Sequence, residues 1–354
     1  MPRPLAVRNF GSLPDGNPVE AWTLFGRGGL VLEIIAYGAT VTRLLAPDRS
    51  GNLADVVLGF NDLDSYLAGR TYFGAMIGRV AGRITGAQFS LDGRTYKLTQ
   101  NEAPNHLHGG GEGFDKKAWT ATPVKTADGA PAVRLTYRSP DGEEGYPGEV
   151  NVAVTYAITD DNIVLVEVEA STDRPTPFCP THHSYFNLAG EAGGSILDHE
   201  LQIYANEFVL TSEDMTLLGE IGSVTGQNND FRQPRILREA VPLLFQNHGD
   251  LYRIRSGTRD NPNLRPLKVA RLAHPRSGRV LEVSTTETYL QLYTGVFLDG
   301  SFIGKSGAPY RQYAGICLEC ENYPDGVNAP SLGDIILHPG TTHREITAYA
   351  FGTL

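Results

Sequence analysis

The sequence predicts an all-β protein: a large antiparallel β-sandwich with a few short helices. Three observations carry that reading. Apolar and polar residues alternate with period two over long stretches, turn residues punctuate the chain at short intervals, and helical periodicity is scarce. The alternation is clearest where Val133, Leu135 and Tyr137 interleave with Arg134, Thr136 and Arg138, and again where Val150, Val152, Val154, Tyr156 and Ile158 share a face. Thr159-Asp160-Asp161-Asn162 then reads as a hairpin turn into a strand over Ile163 to Ala170, with Glu167 and Glu169 on its wet face. Phe89-Ser90-Leu91 and Thr95-Tyr96-Lys97-Leu98 flank Asp92-Gly93, a strong hairpin signal, and Gly278-Arg279 leads into Val280 to Val283.

The 40 glycines and 22 prolines are spread through all 354 residues, matching the roughly 8–12-residue spacing of turns in sandwiches and barrels. Helical pattern is confined to Asn61–Leu67 and Pro234–Glu239. Pro140–Gly148 and Gly190–Gly194 are short enough to be loops between strands, and no repeat or linker divides the chain. A single domain over residues 1–354 is expected.

Composition narrows the partners. A net charge of −10, from 40 acidic and 30 basic residues, argues against nucleic acid and against an anionic membrane surface, both of which demand basic patches. The longest apolar run, Gly29 to Val41, is too short for a span and contains Glu33. The opening residues Met1 to Leu5 lack the apolar core of a secretory signal, so a cytoplasmic protein is expected, with a signal-stripped periplasmic protein as the alternative. Cys179, Cys317 and Cys320 are too few and too odd in number for a disulfide framework. Cys317-Leu318-Glu319-Cys320 has CxxC form but reads as strand, where positions three apart face opposite sides, so its cysteines are expected to be small buried hydrophobes.

Reactive side chains gather in five stretches. In Asn105-His106-Leu107-His108-Gly109-Gly110, two imidazoles one residue apart would share a face on an extended backbone, and the glycines permit close approach to a ligand. Gly78-Arg79-Val80-Ala81-Gly82-Arg83-Ile84 offers two arginines, of which Arg79 also reads as a partner for a surface acid. Thr181-His182-His183-Ser184-Tyr185-Phe186-Asn187 offers two histidines beside aromatics, with the plain alternative of hydrogen-bonded core histidines. Gln291 sits amid apolar residues in Tyr289 to Gly295, and Glu319 lies on an apolar strand where a carboxylate is costly unless it is paired or used. The residues alone leave open a metal site built from His106 and His108 with His182 or His183 as a third ligand. Walker, dinucleotide-binding, HExxH and GxSxG patterns are missing. What remains is a vocabulary for binding a polyhydroxylated ligand and moving protons on it.

Taken together, Gly78–Ile84, Asn105–Gly110, His183-Ser184-Tyr185-Phe186-Asn187-Leu188 and Leu318-Glu319-Cys320-Glu321-Asn322-Tyr323-Pro324-Asp325 resemble the aldose 1-epimerase (galactose mutarotase) family, in the family's order. Gly113–Trp119 and Tyr293–Gly300 support the match. The resemblance implies one large β-sandwich whose concave face holds a free monosaccharide, with no metal or cofactor; monomer and homodimer both stay open. It implies Glu319 as general base and His183 as general acid. It places His108, Arg83 and Gln291 in contact with the sugar, and Asp250, in His248-Gly249-Asp250-Leu251-Tyr252, as the nearest match to a substrate-binding acid. Three positions depart from the family pattern: Gly82 and His182 where Asn is usual, and Glu321 where Gln is usual. They bear on sugar preference more than on reaction type.

A carboxylate near its ordinary pKa is ionised at neutral pH and an imidazole can hold a proton there, so a Glu319/His183 pair would start in the state that hemiacetal opening requires. Tyr185 or Tyr323 is expected to pack the apolar face of the sugar. A hexose-phosphate epimerase on the same fold would need cations at the pocket rim, for which Arg79 is available. A non-catalytic sugar-binding module is the reading from outside the enzymes.

Overall fold

The computed structural model describes residues 5–69, 71–127, 129–255 and 265–354. A nine-stranded antiparallel sheet runs in the spatial order Thr120–Lys125, Pro131–Ser139, Val150–Ile158, Ile163–Thr172, His343–Thr353, Arg279–Thr285, Leu267–Ala273, Glu200–Ile203 and Arg235–Ile236. Two five-stranded sheets lie against it. One is the N-terminal meander Leu5–Ser12 to Leu53–Asp55; the other orders Leu217–Ser223, Glu207–Thr211, Leu251–Arg253, Tyr289–Tyr293 and Cys317–Glu321.

The predicted alternation decides the packing. Along Ile163–Thr172, Val164, Val166, Val168 and Ala170 are buried while their neighbours are half-exposed. They meet Trp22, Leu32 and Ile34 of the N-terminal sheet and Leu290, Leu292 and Leu318 of the other in one apolar core. At about 1.5–3 kcal/mol for each buried Val, Leu or Ile side chain, this shared core is the main force holding the three sheets together. Among the described residues no helix is long and apolar enough to cross a membrane.

The hairpins form as the turn chemistry dictates. Asp92 and Gly93 both take positive φ (50° and 75°), the type I′ geometry that matches strand twist, and join Gln88–Leu91 to Arg94–Lys97. Thr159 N–H closes the next turn on the carbonyl of Ile163, with Asn162 left-handed. The first helix spans Leu63–Ala68, capped by Asp62 accepting from the Ser65 N–H at 2.8 Å. The second is shorter than its pattern suggested: Arg235 and Ile236 pair in register with Leu201 and Glu200, so helix is limited to Leu237–Ala240.

The cysteines behave as their strand positions require. Cys320 joins the main core, whereas Cys317, three residues earlier, faces the other side against the His183 ring.

Candidate active site

A cavity of about 250 Å³ opens on the face of the sheet that contains Cys317–Glu321. That is room for a small ligand. Glu319, His183, His108, Arg83, Gln291 and Asp250 all line it, so every predicted site residue arrives at one place.

The strand register explains the convergence. Glu319 lies directly opposite Gln291 across the last two strands, and Gln291 lies opposite Leu251, the residue after Asp250. Cross-strand neighbours have Cβ atoms about 4.5–5.5 Å apart on one face, so an amide and a carboxylate are brought together by backbone pairing alone. Cys317, Glu319 and Glu321 share that face, while Leu318 and Cys320 point into the core.

His183 ends the short strand Thr181–His183, paired with Ala75–Ile77. Its ring stacks between Tyr72 and Tyr185, with centroids 5.8 and 5.0 Å away. Nδ1 lies 3.6 Å from the Cys317 sulfur and Nε2 lies 3.4 Å from Glu319 Oε2. Both side chains are 3% exposed. Burial disfavours both charged forms: it pushes Glu319 up to about 8, against the opposing pull of Arg83, and His183 down to about 3. The expectation of a carboxyl near its ordinary value is therefore corrected. Burial thus opposes charge on both partners of the pair.

The two histidines of the Asn105–Gly110 stretch part company. His106 donates from Nδ1 to the Thr99 carbonyl at 2.8 Å and accepts at Nε2 from the Tyr146 hydroxyl at 2.8 Å, so both ring nitrogens are taken up in structure. The expected shared face fails because His108 adopts φ 52° and turns the chain. Gly109 follows at φ 83°, where a Cβ would lie 1.8 Å from the Gly78 carbonyl oxygen. His108 Nδ1 accepts from the Gly82 N–H at 3.1 Å. Burial, then the neighbouring His183, lowers its pKa well below the ordinary value, so the ring is neutral and its proton sits on Nε2. His108 is thereby fixed as a donor. We expect His108→Asn to raise KM and lower kcat, with kcat/KM down about tenfold for one lost hydrogen bond; unchanged constants would remove His108 from the site.

Metal-like spacing is present without metal-like chemistry. Ligand atoms of His108, His183 and Glu319 lie within 4.8 Å of one another. A metal needs a free lone pair on each imidazole, yet His108 spends one nitrogen on Gly82 and protonates the other. His106 is fully engaged, and His182 is a core histidine between Tyr156 and Tyr349, pushed down to about 4 by burial.

Arg83 forms a bidentate pair with Glu102, at 2.5 and 2.8 Å. Asp250 accepts from Asn229 Nδ2 at 3.0 Å and is pushed up to about 6 by burial. Gln291 Nε2 donates to the Leu292 carbonyl at 2.6 Å. Tyr185 reaches the cavity as expected, but Tyr323 turns away to pack on Tyr289. Arg79 is neither a surface partner nor a rim cation. It is 2% exposed and donates to Ser139, Thr176 and the carbonyls of Ser139, Pro140 and Pro147. Gly82 has φ 68°, and a Cβ there would come within 2.5 Å of Pro324, so the tight approach of that proline requires glycine.

Sequence reasoning passed over Glu102, His248, Tyr72 and Phe297, which also line the cavity. His248 donates from Nδ1 to the Gly249 carbonyl at 3.1 Å and stacks near Tyr293 and Phe297, leaving Nε2 as an acceptor. Its place beside Asp250 was the available signal. Glu102 carried none.

A family model described as aldose 1-epimerase matches residues 20–350. The chain is 43% identical over 343 residues to galactose mutarotase of Bos taurus and 42% identical over 342 residues to that of Homo sapiens, covering 97% of each chain in both comparisons. It is 32% identical over 348 residues to aldose 1-epimerase of Escherichia coli K12, covering 96% of each. Among solved structures it resembles galactose 1-epimerase from Lactobacillus acidophilus, with TM-score 0.84, 25% identity and 99% of each chain covered. An aldose epimerase homologue from C. elegans gives TM-score 0.84 at 28% identity, covering 94% of this chain and 98% of that one.

Proposed function

The chain belongs to the aldose 1-epimerase family, and from that membership we propose that its cavity opens and recloses the ring of a free aldohexose, with Glu319 as general base and His183 as general acid. It is an isomerase that interconverts the α and β anomers of aldoses. Opening the hemiacetal takes a proton from the C1 hydroxyl and delivers one to the ring oxygen. Rotation about C1–C2 and the reverse transfers give the other anomer. The observation that carries the assignment is the 3.4 Å approach of His183 Nε2 to Glu319 Oε2 at the cavity wall. Two groups so placed can serve the two oxygens of one hemiacetal carbon.

The pair works with a single shared proton. It takes up the reactive form, carboxylate and imidazolium, when sugar hydroxyls solvate both groups and Arg83 stabilises the carboxylate. His108 donates to a sugar oxygen through Nε2–H, while Arg83, Gln291 and Asp250 hold others. Tyr185, Tyr72 and Phe297 pack the apolar face of the ring.

Polarimetry on freshly dissolved α-D-galactose and α-D-glucose tests the reaction; decay at the uncatalysed rate with both sugars would refute it. The pH profile tests the proton count. One shared proton predicts kcat/KM that falls on the alkaline side as the pair deprotonates, near the value of about 8 to which Glu319 is pushed. Activity that instead rises through pH 8 would mean that the fully deprotonated pair is the working form. A phosphorylated hexose is disfavoured, because Arg83 is the one lysine or arginine among the described lining residues and is already paired with Glu102, beside the acids Asp250, Glu319 and Glu321.

A further inference from the structure

Glu321 lines the cavity, is 1% exposed, and has a carboxyl oxygen, Oε2, with no hydrogen-bond partner among the described residues. A native interior rarely leaves such an atom unused. Two residues along one strand from Glu319, it enters the same low-dielectric space. The groups facing it are Glu319 from its own strand, Glu287 from the turn before the adjacent strand, the cross-strand Tyr289, and the Gly82–Arg83 segment with Pro324. The Arg83 guanidinium is held by Glu102. Burial, then the charges of Glu319 and Glu287, raises the Glu321 carboxyl well above its ordinary value. Two neighbouring buried carboxylates do not readily ionise together, and the one placed against His183 is Glu319.

We propose that Glu321 acts as a neutral carboxylic acid that donates a hydrogen bond to a hydroxyl oxygen of the bound aldose, making it a sugar-binding and specificity-determining residue. This rests on the reading of the cavity as the aldose site. The last torsion of a glutamate is broad and two-fold, so either carboxyl oxygen can face the ligand. A neutral acid at 321 also leaves Glu319 as the one carboxyl of that strand face that ionises as the sugar binds, which keeps the proton count of the catalytic pair independent of residue 321.

The test compares Glu321→Gln, which is neutral and keeps a donor, with Glu321→Met, which is neutral and lacks one. Galactose mutarotation is followed by polarimetry across pH and galactose affinity by calorimetry, on variants whose circular dichroism matches the parent. Glu321→Gln is expected to keep kcat and KM within about threefold, with the alkaline limb of kcat/KM moved by less than about 0.3 pH unit. Glu321→Met should raise KM and Kd about tenfold while kcat stays within about threefold. An alkaline limb lowered by about one unit in Glu321→Gln would show that residue 321 is ionised in the working enzyme and overturn the proposal. So would an unchanged Kd in Glu321→Met, or a loss of turnover in Glu321→Gln as large as that expected of Glu319→Gln. Failure of the catalytic assignment shows separately, as undiminished turnover in Glu319→Gln, while the calorimetric comparison at residue 321 still decides the donor role.

Discussion

Glu319→Gln is expected to lower kcat/KM by about 10²-fold or more, because a positioned general base is worth roughly 10²–10⁴ and the amide cannot serve as the proposed base. The substitution is nearly isosteric on a strand whose register is fixed by its pairing with Tyr289–Tyr293, so the loss is expected in turnover with the fold intact. His183→Asn is expected to lower it comparably by removing the proposed general acid. The two act in the same step as one unit, one taking the C1 hydroxyl proton while the other gives a proton to the ring oxygen, so the double variant should be little worse than either single one, whereas independent contributions would multiply. Stopped-flow polarimetry on α-D-galactose measures all three. Near-native rates in both single variants would sink the pair as the proton-transfer machinery.

Arg79→Met is the second large effect, and it falls on stability. The guanidinium is buried and satisfies three carbonyls and two hydroxyls drawn from residues 139–147 and from Thr176. Methionine would fill much of the volume and leave those acceptors unpaired in the interior. The cost is on the order of 1–3 kcal/mol or more, as for neutral acceptors left unpaired in the interior. Urea denaturation followed by circular dichroism should show the midpoint falling with little change in slope. Arg79 does not line the cavity, so the folded fraction should keep a near-normal KM. A loss below about 1 kcal/mol would contradict the structural role.

Much of the fold was legible because one face of each long strand is buried. Period two then records the packing directly, as in Val150–Ile158 and Ile163–Thr172. Short elements were less so: whether Arg235 and Ile236 are strand or helix depends on pairing with Glu200 and Leu201, more than thirty residues earlier in the chain. The same contrast holds in the site. Glu319 announced itself as an acid on an apolar strand, but its raised pKa comes from burial contributed by the whole cavity, which no local pattern encodes. His106 and His108 looked alike in sequence, and positive φ at His108 separated them. The bidentate hold of Glu102 on Arg83, 19 residues away, and the immersion of Arg79 in carbonyls as far as 68 residues away join segments without any motif of their own.

The alternation of the Cys317–Glu321 strand also bears on how such a site can change over generations. Leu318 and Cys320 belong to the shared core, where a change of volume disturbs three sheets. Positions 319 and 321 look outward into the cavity. On the proposed role of Glu321, a substitution there would change the contacts offered to the sugar while leaving Leu318 and Cys320 in place. One short strand thus alternates residues that face the shared core with residues that face the cavity.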